Sequence, residues 1–350
     1  MYAQDDIIAN MPLFKHRFKY IAKGLANNIA ATIGPHKWPS SSPKLWVMMY
    51  HRILPLDDPR HITEEPGMIV TPEDFEMHVK TLKKHFNITT LNEWADKKSI
   101  SGALPSKNCV ITFDDGWLDN YQYAWPILKK HNIPATIYLA TNLIGKNTRF
   151  WPNRLIALYR YFYQDKTTPI APNEFLSLFS RPDSNTLTPE FLTHAIWAAK
   201  QLPESDVVLT IDSIESAIPH HLLSTDSELM NWEHIRELNR SDLISIGSHT
   251  KNHIKLDNTC NNEKIFSEIK DSKEDITLHT NHCPSLFSYP YGAYNSYATE
   301  TARSNYLCAT TTSSGINSPY TDLMELKRIR VHSDISNTPT QLLARMSGWF

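Results

Sequence analysis

The chain has 350 residues, 41% hydrophobic and 21% charged, a globular composition long enough for one large α/β domain or two average ones. Its net charge of -2 argues against a nucleic-acid partner held by bulk electrostatics. No run of the ~18 apolar residues needed to cross a membrane is present, and four scattered cysteines without a CxxC pair leave the redox compartment open.

The opening MYAQDDIIANMP is acidic where a secretory leader is basic, which favours a cytoplasmic location. Residues 10–33 combine Lys15, Arg17, Lys19 and Lys23 with Leu13, Phe14, Phe18, Ile21, Leu25 and Ile29 at helical spacing. That pattern suits a helix making peripheral contact with an anionic membrane, or one packed by its apolar face on the main domain. Pro35, Pro39 and Ser40–Ser42 read as a linker, so residues 1–44 form an extension and 45–350 the main domain.

From there apolar runs alternate with helical patterns. Strands are expected at Leu45–Tyr50, Ile88–Leu91, Val110–Phe113, Ala135–Ala140, Leu243–Ile246, Leu286–Tyr289, Leu307–Thr311 and Arg328–Val331. Thr71–Phe86 reads as a helix capped by Thr71, with further helices at Leu118–His131 and Lys264–Thr277. This alternation implies parallel strands joined by crossovers. The fold expected is α/β, an irregular (β/α) barrel of about seven or eight parallel strands, with an open doubly wound sheet as the alternative. A long helical insertion, about residues 143–239, interrupts it. It reads as a substrate wall or lid, or as structural padding. Cys109 and Cys308 fall in apolar runs, while Cys260 and Cys283 pair only if the fold joins them.

Two clusters carry chemistry. In Val110–Trp117 an apolar strand runs into Asp114, Asp115 and a glycine, which places two carboxylates at a strand's C-terminal end or caps a helix beginning near Trp117. In Ile246–His253, His249 and His253 lie four apart, on one face if the segment is a helical turn, so both imidazoles can reach one metal. With sixteen histidines in the chain, such a pair alone is weak. Together the clusters give one carboxylate and two imidazoles with open positions, and a second carboxylate where a general base belongs.

TFDDG at 112–116, His249-Ser/Thr-x-x-His253 and Phe287–Gly292 (FSYPYG), in this order at strand ends, resemble the three motifs of the polysaccharide deacetylases, the carbohydrate esterase family 4 or NodB-homology group. Met49–Arg52 and Thr71–Leu91 also resemble its N-terminal elements. The resemblance implies a distorted barrel that removes N-acetyl, occasionally O-acetyl, groups from sugars. It implies Asp114 as base, Asp115, His249 and His253 as ligands of a divalent metal, most often zinc with cobalt or nickel as variants, and a Tyr291 backbone N–H for the oxyanion. Trp117 and Pro290, within the motifs, count as supporting residues, with His51 lining the pocket and Ser248 orienting a ligand.

The third motif departs from the family: Ser288 stands where many members place an arginine that orients the base. Arg328 or Arg330 is the candidate replacement. His332 is the first choice for general acid, set against an ordinary loop histidine. The carbohydrate partner expected is one bearing N-acetyl groups. The alternatives are an inactive glycan-binding barrel, or an amidohydrolase of the same fold removing a formyl or other N-acyl group. A two-histidine-one-carboxylate iron oxygenase fits the strand–helix alternation poorly.

Overall fold

A computed structural model describes residues 24–100, 102–163, 170–182, 187–219 and 228–349. Residues 24–33 form helix α1. The main chain then runs β1 (Lys44–Tyr50), β2 (Arg52–Ile53), β3 (Ile69–Val70), α2 (Pro72–His85), β4 (Asn87–Ile88), α3 (Leu91–Lys97) and β5 (Lys107–Phe113). Next come α4 (Trp125–His131), β6 (Ala135–Leu139), α5 (Trp151–Tyr163), α6 (Asn173–Leu178), α7 (Pro189–Ala199), α8 (Glu204–Ser216), α9 (Trp232–Asn239) and β7 (Ile244–Ser248). The last part is α10 (Asn262–Thr280), β8 (Leu286–Ser288), α11 (Ser296–Asn305), β9 (Cys308–Ser314), β10 (Leu326–Arg330), α12 (Ser333–Ser336) and α13 (Pro339–Met346).

The strands order β1-β10-β9-β8-β7-β6-β5, and β5 pairs back on β1, so seven parallel strands close a barrel. The expected Ile88–Leu91 strand contributes only the short β4 on the outside of β5. It stops because Thr90 caps the next helix, accepting from the Glu93 amide at 3.1 Å. Thr71 caps α2 in the same way through Asp74. The expected helix at Leu118–His131 is broken: Asn120–Ala124 forms a wider turn before α4 begins at Trp125.

Barrel strands buried on both faces read as continuous apolar runs, as in Trp46–Tyr50 and Cys109–Phe113. Cys109 and Cys308 are buried in strands, and Cys260 and Cys283 are free rather than paired.

The insertion folds over its own core. Trp151, Leu155, Tyr159 and Phe162 of α5 pack with Phe175 of α6, Ile196 of α7 and Ile211 of α8. It meets the barrel through polar ties, such as Asn153 to the Thr63 carbonyl at 3.1 Å and Lys200 to Glu65, and its two ends join the barrel core through Ile144, Met230, Ile235 and Leu238.

The N-terminal pattern at 10–33 lies partly outside the described residues. Within α1, Ala30 and Ala31 pack on Ala344 of α13, while Leu25, Ile29 and Ile33 stay exposed. Lys37, just beyond, reaches His85 at the end of α2, and Trp46 donates to the Met346 carbonyl at 2.8 Å. The extension therefore sits by the barrel end where the strands begin. Among the described residues no helix is long and apolar enough to cross a membrane.

Candidate active site

The site is built where strands end. After β5 the chain turns sharply, with Asp115 at φ 77° and Gly116 at φ 82°. At that φ a side chain would be strained, and a Cβ at Gly116 would also press on the methyl ends of Ile144 at 2.9 Å and Leu139 at 3.0 Å, so the turn favours glycine. The turn sends Asp114 and Asp115 into the cleft. Trp117 donates from Nε1 to Asp115 Oδ2 at 3.0 Å and fixes that carboxylate's orientation.

After β7, His249 donates from Nδ1 to the Ser288 carbonyl at 2.7 Å, which leaves Nε2 as a lone-pair donor. Ser248 does not take this orienting role: its hydroxyl bonds Ser272 of α10. The expected helical turn from His249 to His253 is absent. Thr250 and His253 both adopt left-handed backbone (φ 66° and 57°), and the segment is an irregular loop. Glu268, buried on α10, clamps it by accepting the Lys251 and Asn252 amides at 3.0 and 2.8 Å, while the Thr250 hydroxyl accepts the His253 amide at 2.9 Å. Glu268 went unseen in the sequence because one acid on an amphipathic helix looks solvent-facing.

These two loops bring His249 Nε2 to 3.6 Å and His253 Nε2 to 3.3 Å from Asp115 Oδ1. One ligand atom from each residue lies within 4.8 Å of the others. Asp115 Oδ1 is buried without a hydrogen-bond partner, an orphaned acceptor that a cation would satisfy. Burial, then the neighbouring Asp114, pushes the Asp115 carboxyl well above its ordinary range; burial lowers both imidazoles, His253 furthest. Two neutral imidazoles and a carboxylate that lacks a counter-charge are a donor set suited to a divalent metal with open positions.

Asp114 has a different environment. Arg328, buried on β10, donates through both terminal nitrogens to its two oxygens at 2.7 Å each, and Arg328 Nε donates to the Thr311 carbonyl. Burial pushes Asp114 up, but Arg328 and His249 outweigh it and hold the carboxyl well below the usual range. Arg330, the other candidate, lines the cleft instead. His51 stands 3.8 Å from Asp114, and burial lowers it to about 3.

Tyr291 follows β8 in a short turn begun by the buried Pro290, again with positive φ (57°). Its ring meets His253 edge to face at 4.7 Å, and its hydroxyl accepts from Trp151 of the insertion at 3.1 Å. A Cβ on the next residue, Gly292, would collide with Thr312, which holds the turn against β9. His332 is not among the side chains lining the cleft; its ring pairs with Asp334 at 3.1 Å and lies against Gly67 at the rim.

Six non-glycine residues among those described have positive φ. Asn132 and Asn281 are helix C-caps, a routine use. The other four, Asp115, Thr250, His253 and Tyr291, all belong to this site, so its backbone strain is concentrated where the side chains converge.

Behind Trp117 lies a second buried network. Arg52, with its guanidinium carbon 4.0 Å above the Trp117 ring centre, bonds Glu64 at 2.6 Å, Asp119 at 2.9 Å and Glu228. It joins β2 to the segment that follows it, to the turn after β5 and to the returning part of the insertion.

The chain matches the family model described as polysaccharide deacetylase over residues 101–176 and 198–307, more than half its length. The chain belongs to the polysaccharide deacetylase family. It is thus a hydrolase of the carbohydrate deacetylase class. Among relatives of this polysaccharide deacetylase, YxkH of Bacillus subtilis strain 168, a chain assigned to the same group, is 25% identical over 297 residues, 84% of this chain and 74% of that one. A poly-beta-1,6-N-acetyl-D-glucosamine N-deacetylase of Staphylococcus epidermidis is 40% identical over a local stretch of 77 residues, 22% of this chain and 26% of that one. In fold, Streptococcus pyogenes deacetylase PplD, solved with acetate, aligns with TM-score 0.57 at 22% identity, covering 87% of this chain and 99% of its own. IcaB from Ammonifex degensii aligns at 0.56 and 18% identity, over 87% and 98%.

Proposed function

We propose that this deacetylase hydrolyses N-acetyl groups on a carbohydrate, with a divalent metal, zinc, held by Asp115, His249 and His253. The observation that carries the reading is the orphaned, buried Asp115 Oδ1 facing two imidazole Nε2 atoms beside an ionised Asp114. When bound, the cation supplies Lewis-acid activation of a water and of the amide carbonyl.

The chain's own groups do the rest. Asp114, kept ionised and aimed by Arg328, takes a proton from the attacking water. The Tyr291 backbone N–H donates to the oxyanion as the carbonyl carbon becomes tetrahedral. When the C–N bond breaks, the nitrogen needs a proton and acetate leaves. His332 is assigned that donation: it follows β10 at the rim, and although burial lowers its ring, the paired Asp334 carboxylate works against that shift, while burial lowers His51 to about 3. The relatives named for poly-N-acetylglucosamine support an N-linked acetyl target.

The test is metal content by elemental analysis on wild type and His249→Ala, followed by acetate release from N-acetylglucosamine oligomers. About one metal per chain, lost in the variant, with acetate released only by the loaded protein, is the expected result. A protein that takes up no metal, yet binds the same sugars, would instead be an inactive glycan-binding barrel.

We infer also that the exposed stripe Leu25, Ile29 and Ile33 rests on an anionic membrane surface, drawn there by Lys15, Arg17, Lys19 and Lys23. Co-sedimentation with phosphatidylserine vesicles should fall when the three apolar residues are replaced by serine. Equal sedimentation of both proteins would remove this contact.

A further inference from the structure

Helix α7 divides its faces sharply. Leu192, Ala195, Ile196 and Ala199 are buried in the insertion's own core. Thr193, Trp197 and, just past the helix, Lys200 fall at i, i+4 and i+7 on the other face and line the catalytic cleft. Trp197 keeps 60% of its surface exposed there. A bare indole on a cleft wall has most to gain from a ligand with an apolar face.

Its neighbours tie it to the chemistry. Lys200 Nζ bonds both oxygens of Glu65 at 2.7 and 2.9 Å, which presents paired donors and acceptors beside the indole. The same ammonium lies 5.7 Å from the Tyr291 ring centre, and that ring meets His253. Side-chain contacts therefore lead from a candidate metal ligand to Lys200, three residues beyond Trp197. Thr193 and Trp197 lie in residues 177–197, between the two stretches matched by the family model, while Lys200 falls just inside the second.

We propose that Trp197 is a stacking platform for a pyranose ring neighbouring the sugar that reacts, with the Lys200–Glu65 pair binding that ring's hydroxyls. The inference rests on the deacetylase reading above. A pyranose has one face of C–H bonds and an equatorial belt of hydroxyls. The first suits an aromatic plane and the second suits a fixed ion pair. A single amino sugar with its acetyl group at the metal ligands would leave the Trp197 wall unused.

The experiment measures acetate release by metal-loaded wild type, Trp197→Ala and Trp197→Phe on N-acetylglucosamine oligomers of increasing length. In wild type kcat/KM should climb with length. In Trp197→Ala the ratio of long-chain to single-sugar kcat/KM should fall roughly three- to tenfold, with substantial recovery in Trp197→Phe. A ratio unchanged by Trp197→Ala, or wild-type rates indifferent to length, would overturn the platform. Should wild type release no acetate from any of these sugars, the deacetylase reading fails for them, and calorimetric binding of the same oligomers decides the platform separately. Length-dependent affinity that Trp197→Ala abolishes supports it, and affinity blind to the substitution overturns it.

Discussion

Arg328 and Asp114 face each other across β1, with two parallel hydrogen bonds of 2.7 Å joining strands β10 and β5. The pair holds the proposed base ionised, in one orientation, inside a buried site. Because the carboxyl is depressed, the pair's stabilising effect is present above the unfolded value of about 3.9 and is lost as pH falls below it towards the folded value.

Removing the guanidinium strands a buried carboxylate. Arg328→Ala should cost on the order of 3–5 kcal/mol of stability, measured by urea unfolding at pH 7. The acidic limb of its pH–rate profile should move to higher pH. Arg328→Lys cannot reproduce the two-pronged contact and should recover only part of either loss.

Asp115 makes the opposite prediction in metal-free protein. Its raised carboxyl destabilises the empty site increasingly as pH rises above the unfolded value of about 3.9. Metal-free Asp115→Asn should therefore melt no lower than metal-free wild type at pH 7, with its advantage growing with pH. The added metal that raises the wild-type Tm should leave the variant's Tm unmoved.

Glu268 touches no proposed ligand atom, yet it holds the loop that carries His253. Glu268→Gln should weaken metal affinity about 10- to 100-fold, read by competition with a chelating dye. Loss of all folded protein, with no measurable effect at permissive temperature, would mark Glu268 as a purely structural acid.

Proton donation separates two histidines. His332→Ala should lower kcat by about 10²–10⁴-fold with KM nearly constant. Asp334→Asn removes the charge that offsets burial, so the basic limb of the profile should move to lower pH. A larger kcat loss in His51→Ala would transfer the role to His51.

Arg52 bonds all three of Glu64, Asp119 and Glu228, and Arg149 adds a second, longer pairing to Glu228 at 3.6 Å. Arg52→Met should destabilise by roughly 3–5 kcal/mol in denaturant titration, well beyond what an exposed arginine would cost.

Most of the barrel and the four central side chains were legible because each chemistry-bearing cluster directly follows an apolar run. Parallel strands place that junction at one rim. Long-range partners were not: Arg328 is 214 positions from Asp114 and stood only beside Arg330 as a candidate. Local capping misled at Ile88–Leu91, where Thr90 starts a helix that the apolar residues alone do not announce. The spacing of His249 and His253 was right for convergence but wrong in mechanism. Left-handed backbone at Thr250 and His253 brings the rings together without a helical turn. Helices α6 and α8 were missed because their apolar residues pack on one another within the insertion and not on the barrel.

The insertion's self-contained core has an evolutionary consequence. The α5–α8 part fills its interior with its own apolar side chains, so it can vary there with less effect on the strands beneath than its core-joined ends Ile144 and Met230 allow. Selection on what the cleft wall binds can then act on α7 while selection on the proposed chemistry acts on the loops after β5 and β7 and on β10. A lineage built this way can alter what its cleft admits while the residues around Asp114 and Asp115 stay fixed.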